Sequence, residues 1–213
     1  MFAGPYLVWM LIFILSPMLL ILYYAFTANG SFTMANLIAA VDLANIRVLL
    51  DSIRLALYTT ILCLLIGYPV AYLLSRMKKA TATLLSVFFI VPMWMNFLLR
   101  TYAWKVLLGA FSNILYTEGA VLLGMVYNFL PFMILPIYTV LMKLDSSYVE
   151  AANDLGANGV KTFFRVVLPL AVSGIVSGVT MVFIPSTTTF AISQLLGGGK
   201  PMLYRDLTYM RFI

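Results

Sequence analysis

Charge is what this 213-residue chain has least of: 9% of its residues are Asp, Glu, Lys or Arg, against about a quarter in soluble domains. So few charges cannot cover a water-facing surface, and with 63% hydrophobic residues the chain reads as a membrane protein. It has no histidine and one cysteine, Cys63, inside an apolar run. This excludes an intrachain disulfide, a CxxC redox or zinc pair and a histidine acid-base centre. The apolar runs hold essentially no acids, so no carboxylate cluster suits metal or acid-base chemistry, and a membrane enzyme is disfavoured. The net charge of +6 is assigned to membrane orientation rather than nucleic acid, because the basic residues flank hydrophobic segments. A P-loop is also missing: in GGGKP, Gln194 stands where the earlier glycine belongs and Pro201 where Ser or Thr would meet magnesium.

What the chain does have is long apolar runs. About 20 apolar residues cross roughly 30 Å of hydrocarbon when each backbone amide is satisfied within its own helix. On that measure five spans are expected, over residues 5–26, 53–74, 84–102, 121–142 and 166–195. The fold class is all-α, a polytopic transmembrane helix bundle forming one domain over 1–213. The first run is too long for a signal-peptide core and no Lys or Arg precedes it, so it is expected to be a retained helix. The stretch SFTMANLIAAVDLANIRVLLDS between the first two runs has the mix of an amphipathic surface helix. Residues 109–119 fit either a loop or a helix extension.

Arg76, Lys78 and Lys79 follow the second run, and Lys143, Lys161 and Arg165 lie between the fourth and fifth, so both loops are expected on the cytoplasmic side. Arg100, Lys105, Lys200, Arg205 and Arg211 fall on the other side and break the rule. Trp9, Trp94 and Trp104 stand near span ends, where aromatic rings anchor at the membrane interface.

The most informative stretch is polar: SSYVEAANDLGANGVKTFFRVVLP, 146–169. Ser147 precedes Glu150 by three residues, the capping-box spacing that predicts a helix start. Gly156 suits the left-handed position that ends it about two turns later, Asn158 caps the next helix, and Pro169 bends that helix near the membrane surface. A two-turn helix in water is marginal without packing, so its small face at Ala151 and Ala152 is prepared for a close protein partner.

The spacing EAA, three residues, Gly, nine residues, then Val-x-Leu-Pro resembles the cytoplasmic signature of bacterial ABC importer permeases of the binding-protein-dependent type. Glu150, Ala151, Ala152, Gly156, Val166, Leu168 and Pro169 stand in the matching places, and Val166 replaces the usual Ile. FLLRTYAWKVLL, VYNFLPFMILPIYTVLMKLD and VFIPSTTTFAISQLLGGGKPML extend the similarity toward the B-subunit group of polyamine (spermidine and putrescine) permeases, over roughly residues 5–203. The resemblance implies a transport subunit of the bacterial cell membrane rather than an enzyme. Residues 143–165 would be its coupling loop, with Glu150, Ala151, Ala152, Asp154 and Gly156 meeting an ATPase. It further implies a second permease subunit, two cytoplasmic ATPase copies that bind ATP and magnesium, and an extracytoplasmic solute-binding protein, with no cofactor in this chain. For Glu150, completing a capping box and touching the ATPase remain side by side.

A cation that loses water needs negative potential or an aromatic face. With the spans nearly free of acids, the candidate pathway residues are Trp94, Tyr102, Trp104, Tyr127 and Asn128, each also suited to plain packing. Asp42, Asp51 and Glu118 are read as solvated. In the fifth span, Gly174 and Gly178 form a GxxxG pattern, and Pro185 with Ser186 to Thr189 can open the helix and re-satisfy freed carbonyls, lining a cavity or bending a packed helix. Relatives continue into a sixth transmembrane helix that is expected to be missing here. The competing readings are therefore an ABC permease for thiamine, iron or an oxyanion, and a truncated membrane protein that does not transport.

Overall fold

The computed structural model describes residues 3–28, 31–111 and 114–198; the expectations for Lys200, Pro201, Arg205 and Arg211 lie outside them. The chain divides into two compact units, one up to Arg47 and one from Val48 on.

In the first unit, α1 (Ala3–Met10) passes through a π-turn (Leu11–Leu15) into α2 (Ser16–Ala25). Pro17 explains the wide turn: it has no N–H for the carbonyl four residues back, and its ring crowds that carbonyl. The window Val8–Ala25 is long and apolar enough to cross a membrane and is 0% buried. Two short strands, β1 (Thr27–Ala28) and β2 (Ser31–Phe32), pair antiparallel, and the Phe26 and Phe32 rings stack at 5.9 Å. Helix α3 (Ala35–Ala40) follows, tied back by its Asn36 amide, which donates to the carbonyls of Tyr24 and Thr27.

Helix α4 (Leu43–Arg76) has 34 residues, about 51 Å at 1.5 Å per residue, and begins ten residues before the expected second span. The polar stretch before that span is thus divided between α3 and the start of α4. Helices α5 (Lys79–Trp94) and α6 (Phe97–Phe111) follow. The expected third span, 84–102, is not one helix: the two meet at a 93° bend. Pro92 removes an amide near the end of α5, Met95 is extended, and the Asn96 side chain accepts from the Leu98 amide to start α6.

Helix α7 (Glu118–Met142) is the axis of the core, burying among others Val121, Met125, Phe129, Met133, Ile137 and Leu141. Its partners fix direction. Arg54 pairs with Glu118 at 3.0 Å, Thr59 Oγ1 lies 3.7 Å from Met125 Sδ, and Cys63 Sγ lies 3.8 Å from the Val126 carbonyl. A Cβ on Gly67 would come within 3.0 Å of Met133. Contacts that advance together along both chains make α4 and α7 parallel.

After the loop come α8 (Ser146–Asp154), α9 (Gly159–Thr162), a second π-turn (Phe163–Val167), α10 (Leu168–Leu170), α11 (Val172–Thr188) and α12 (Phe190–Gly197). Pro169 stands two residues beyond its π-turn, as Pro17 does beyond the first. The expected fifth span, 166–195, is bent by 64° at Ala171 and interrupted again at Thr189, whose ψ is 94°. The Ser186, Thr187, Thr188 and Thr189 hydroxyls donate to the carbonyls of Phe183, Ile184 and Pro185 in the turn before this break.

Gly174 and Gly178 let α11 lie directly on α7. A Cβ on Gly174 would sit 3.0 Å from both Ile137 Cα and the Pro136 carbonyl oxygen, and one on Gly178 would sit 2.8 Å from Met133 Sδ. Here the numbering runs in opposite senses, so α11 is antiparallel to α7. Large apolar side chains face outward throughout, Leu65 and Phe88 being 65% and 67% exposed, which suits a bundle whose outer solvent is lipid.

Candidate functional site

The polar loop builds its small helix from local chemistry. Asp145 is extended and its carboxylate accepts from the Ser147 amide at 3.0 Å. Asp145, not Ser147, is therefore the N-cap, and the expected Ser147–Glu150 capping box is corrected: both residues lie inside α8. A carboxylate makes a stronger, charge-assisted acceptor than a hydroxyl, and it stands just beyond the end of α7. These bonds from Ser147 hold the Asp145 carboxyl below its ordinary pKa.

The helix stops as expected. Gly156 has φ +78°; the Ala157 amide donates to the Ala152 carbonyl at 3.0 Å and the Gly156 amide to Asn153 at 2.9 Å. These two bonds make a Schellman motif, in which a left-handed residue satisfies the last carbonyls. The Asn158 side chain then accepts from the Lys161 amide at 2.9 Å, capping α9.

Glu150, Ala151, Asp154 and Gly156 are exposed and Ala152 is half-buried. The helix also shows two residues that the sequence reading passed over. Tyr148 is 55% exposed and Leu155 89% exposed, and with Ala151 they follow helical spacing 148, 151, 155 as an apolar stripe beside the acidic Glu150 and Asp154. The signal was there, as two large apolar residues in an otherwise polar loop. Val149, on another face, packs against the core.

Behind α8 the signature residues join it to the bundle. Val167 is buried, and Val166 and Leu168 are half-buried. The Phe163 ring meets Tyr68 and Tyr72 of α4 edge-on at 5.6 and 5.3 Å, and Thr162 Oγ1 reaches Asn153 Oδ1 at 3.4 Å. One rigid turn thus links the exposed helix to α4 through aromatic contacts and to α11 through the bend after Pro169.

Of the pathway candidates, the structure brings two together: the Trp104 and Tyr127 rings touch edge-on at 5.4 Å across α6 and α7. Asn128 is buried; its amide donates to the Gly124 carbonyl at 2.8 Å, and its Oδ1 has no partner among the described residues. Trp94 is 84% exposed at the end of α5 and Tyr102 is 55% exposed; neither shares the Trp104–Tyr127 contact. One turn before Trp104 lies Arg100, only 9% exposed, with Nε and Nη1 buried and without a hydrogen-bond partner among the described residues. Arg100 and Lys105, two of the charges that break the orientation rule, both lie within α6.

A bundle of long apolar helices with a small polar helix packed at one end is the architecture of a multi-pass membrane protein. The family model of the binding-protein-dependent transport system inner membrane component matches residues 63–212, and the chain belongs to that family. It is similar to the spermidine/putrescine transport system permease protein PotB of Haemophilus influenzae, at 39% identity over 96% of this chain and 80% of that protein. The PotB protein of Escherichia coli is 34% identical over 96% of this chain and 83% of its own length. The inner membrane ABC transporter permease protein YdcU of Escherichia coli is 31% identical over 91% and 73%. The protein is a multi-pass inner-membrane protein.

Proposed function

We propose that the chain is the transmembrane permease subunit of an ATP-binding-cassette importer that carries polyamines, spermidine and putrescine, across the cell membrane. The observation that carries this reading is the similarity to PotB proteins over 96% of the chain. We further infer a second permease subunit beside it, two ATPase copies holding ATP and magnesium beneath it, and a solute-binding protein outside.

Five crossings fit the geometry best. Among the described residues, three helices are long and apolar enough to cross alone, and two bent pairs bring the number to five when each is one span. At 16 and 15 residues, α5 and α6 reach only about 24 and 22 Å, short of the roughly 30 Å core. Because α4 and α7 are parallel, residues 77–117 must return the chain once to the side where α4 began. The end that carries α8 also carries Arg76, Lys78, Lys79 and Lys143, which makes it the cytoplasmic end.

In this reading the 148, 151, 155 stripe seats in an apolar groove of the ATPase while basic groups of the groove meet Glu150 and Asp154. ATP-driven closure pulls α8. The Phe163 contacts carry that pull to α4 and the bend at Ala171 carries it to α11, so the helices around Trp104 and Tyr127 reorient. A polycation would find aromatic faces there rather than carboxylates, so its hold is weak and release is easy. Selectivity then rests chiefly on the binding protein. The test is reconstitution of all subunits in vesicles: ATP-dependent uptake of labelled spermidine is expected, and stable assembly without uptake of any polyamine would refute the reading.

A further inference from the structure

Two clefts meet at the α8 end of the second unit, sharing Ser75 and Met142. One has a polar wall of Arg76, Ser75 and Ser146. The other is of mixed polarity: Leu74, Met77, Ala82, Tyr138 and Met142 line it together with Ser75 and Lys79, and Met77 and Met142 are its exposed apolar side chains. The Arg76 guanidinium is held in place: its Cζ lies 5.3 Å over the Tyr72 ring and its Nη2 lies 3.3 Å from the Tyr72 hydroxyl. Among the described residues, the ion pairs belong to Arg54, and no carboxylate pairs with Arg76, Lys78, Lys79 or Lys143.

We propose that these joined clefts bind an anionic phospholipid of the cytoplasmic leaflet, its phosphate drawn by Arg76 and Lys79 and one acyl chain along the exposed Met77 and Met142 side chains. The argument is complementarity on two counts. A fixed guanidinium and an ammonium without carboxylate partners among the described residues favour an anion, and the exposed Met77 and Met142 side chains beside them favour an anion that carries hydrocarbon. Basic recesses between transmembrane helices at this level suit acidic headgroups. A free phosphate satisfies the first count only. The site lies against the ends of α4 and α7 and next to Val149 of α8, so a bound lipid would brace the base of the docking helix. The inference rests on the membrane reading of the bundle and is independent of the cargo.

The experiment uses the assembled importer in nanodiscs of phosphatidylcholine, with phosphatidylglycerol titrated in and retained lipid read by native mass spectrometry. Saturable retention of phosphatidylglycerol is expected. At about fivefold per basic residue, Arg76→Gln with Lys79→Gln should weaken it about thirtyfold. Lys161→Gln with Arg165→Gln, an equal charge loss at the same end but outside both clefts, should change it less than threefold. Equal losses in the two double variants would reduce the effect to diffuse charge and overturn the site. So would displacement by soluble glycerol phosphate at matched concentration. An effect of the Arg76 and Lys79 changes on ATPase attachment in pure phosphatidylcholine, with phosphatidylglycerol retention unchanged, would assign the surface to the ATPase instead. Uptake is not the readout, so failure here leaves the transport reading standing.

Discussion

Substituting Gly156 isolates the helix stop on which α8 depends. A Cβ built there meets nothing within 4 Å, so Gly156→Ala adds no tertiary clash. The whole penalty is backbone conformation at φ +78°, about 1 to 2 kcal/mol for an L-residue held left-handed. That is roughly a five- to thirtyfold fall in the population of the turn that keeps both Schellman bonds. Asn visits this region more readily than Ala, so Gly156→Asn should fall between. The assay is ATP-dependent uptake in vesicles alongside spermidine-stimulated ATP hydrolysis, normalised to permease inserted. The expected order is Gly156, then Asn, then Ala in both, with global thermal stability unchanged because the turn is exposed. Equal activity of all three would refute the claim that a fixed turn transmits force, and a large drop in thermal midpoint for Ala would refute the claim that the penalty is local.

Other expectations follow from the packing and the caps. Gly174→Ala should destabilise the bundle by about 1 to 3 kcal/mol, the usual cost of overpacking, because its Cβ meets α7 backbone at 3.0 Å; Gly124→Ala should cost less, since the group it overlaps is the end of the Leu196 side chain rather than backbone, and denaturation in mixed micelles ranks them. Arg100→Met should stabilise the isolated permease, since it removes buried donors without partners, yet destabilise the full importer if assembly supplies the acceptor; paired thermal unfolding of the two preparations separates these effects. Asp145 has a lowered carboxyl pKa, so its support of α8 is full above the ordinary carboxylate range near pH 4 and lost as pH falls through the depressed value. Asp145→Asn should abolish that pH dependence while keeping a neutral cap, measured by hydrogen exchange of 146–154. Thr117→Cys and Ser147→Cys should label from opposite sides of the membrane with an impermeant thiol reagent.

Local chemistry was the legible part of this chain. Gly156 and Asn158 do what their residue types allow wherever they sit, and the structure finds each at that task; the Ser186 to Thr189 hydroxyls bond back to carbonyls of their own helix rather than to ones that a break has freed. The start of α8 moved by two residues because Asp145 and Ser147 compete for one role, and spacing alone favoured the motif over the stronger acceptor. The break at 95–96 was hidden by composition: the apolar run continues through Pro92 and Met95, and hydropathy does not register a lost amide. The burial of Arg100 was hidden for a related reason. In a helix apolar on every side, periodicity assigns no inner face, so only packing against α7 and α12 shows that this cation is buried. The parallel course of α4 and α7 depends on contacts more than sixty positions apart, such as Arg54 with Glu118, which no local pattern encodes.

The most direct measurement is cysteine cross-linking in a background where Cys63 has been replaced. Cysteines placed singly at Tyr148, Ala152 and Leu155 should cross-link to the co-expressed ATPase, with efficiency that changes between nucleotide-free and ATP-bound states. If none of the three cross-links while the subunits still co-purify, α8 is not the element that the motor grips.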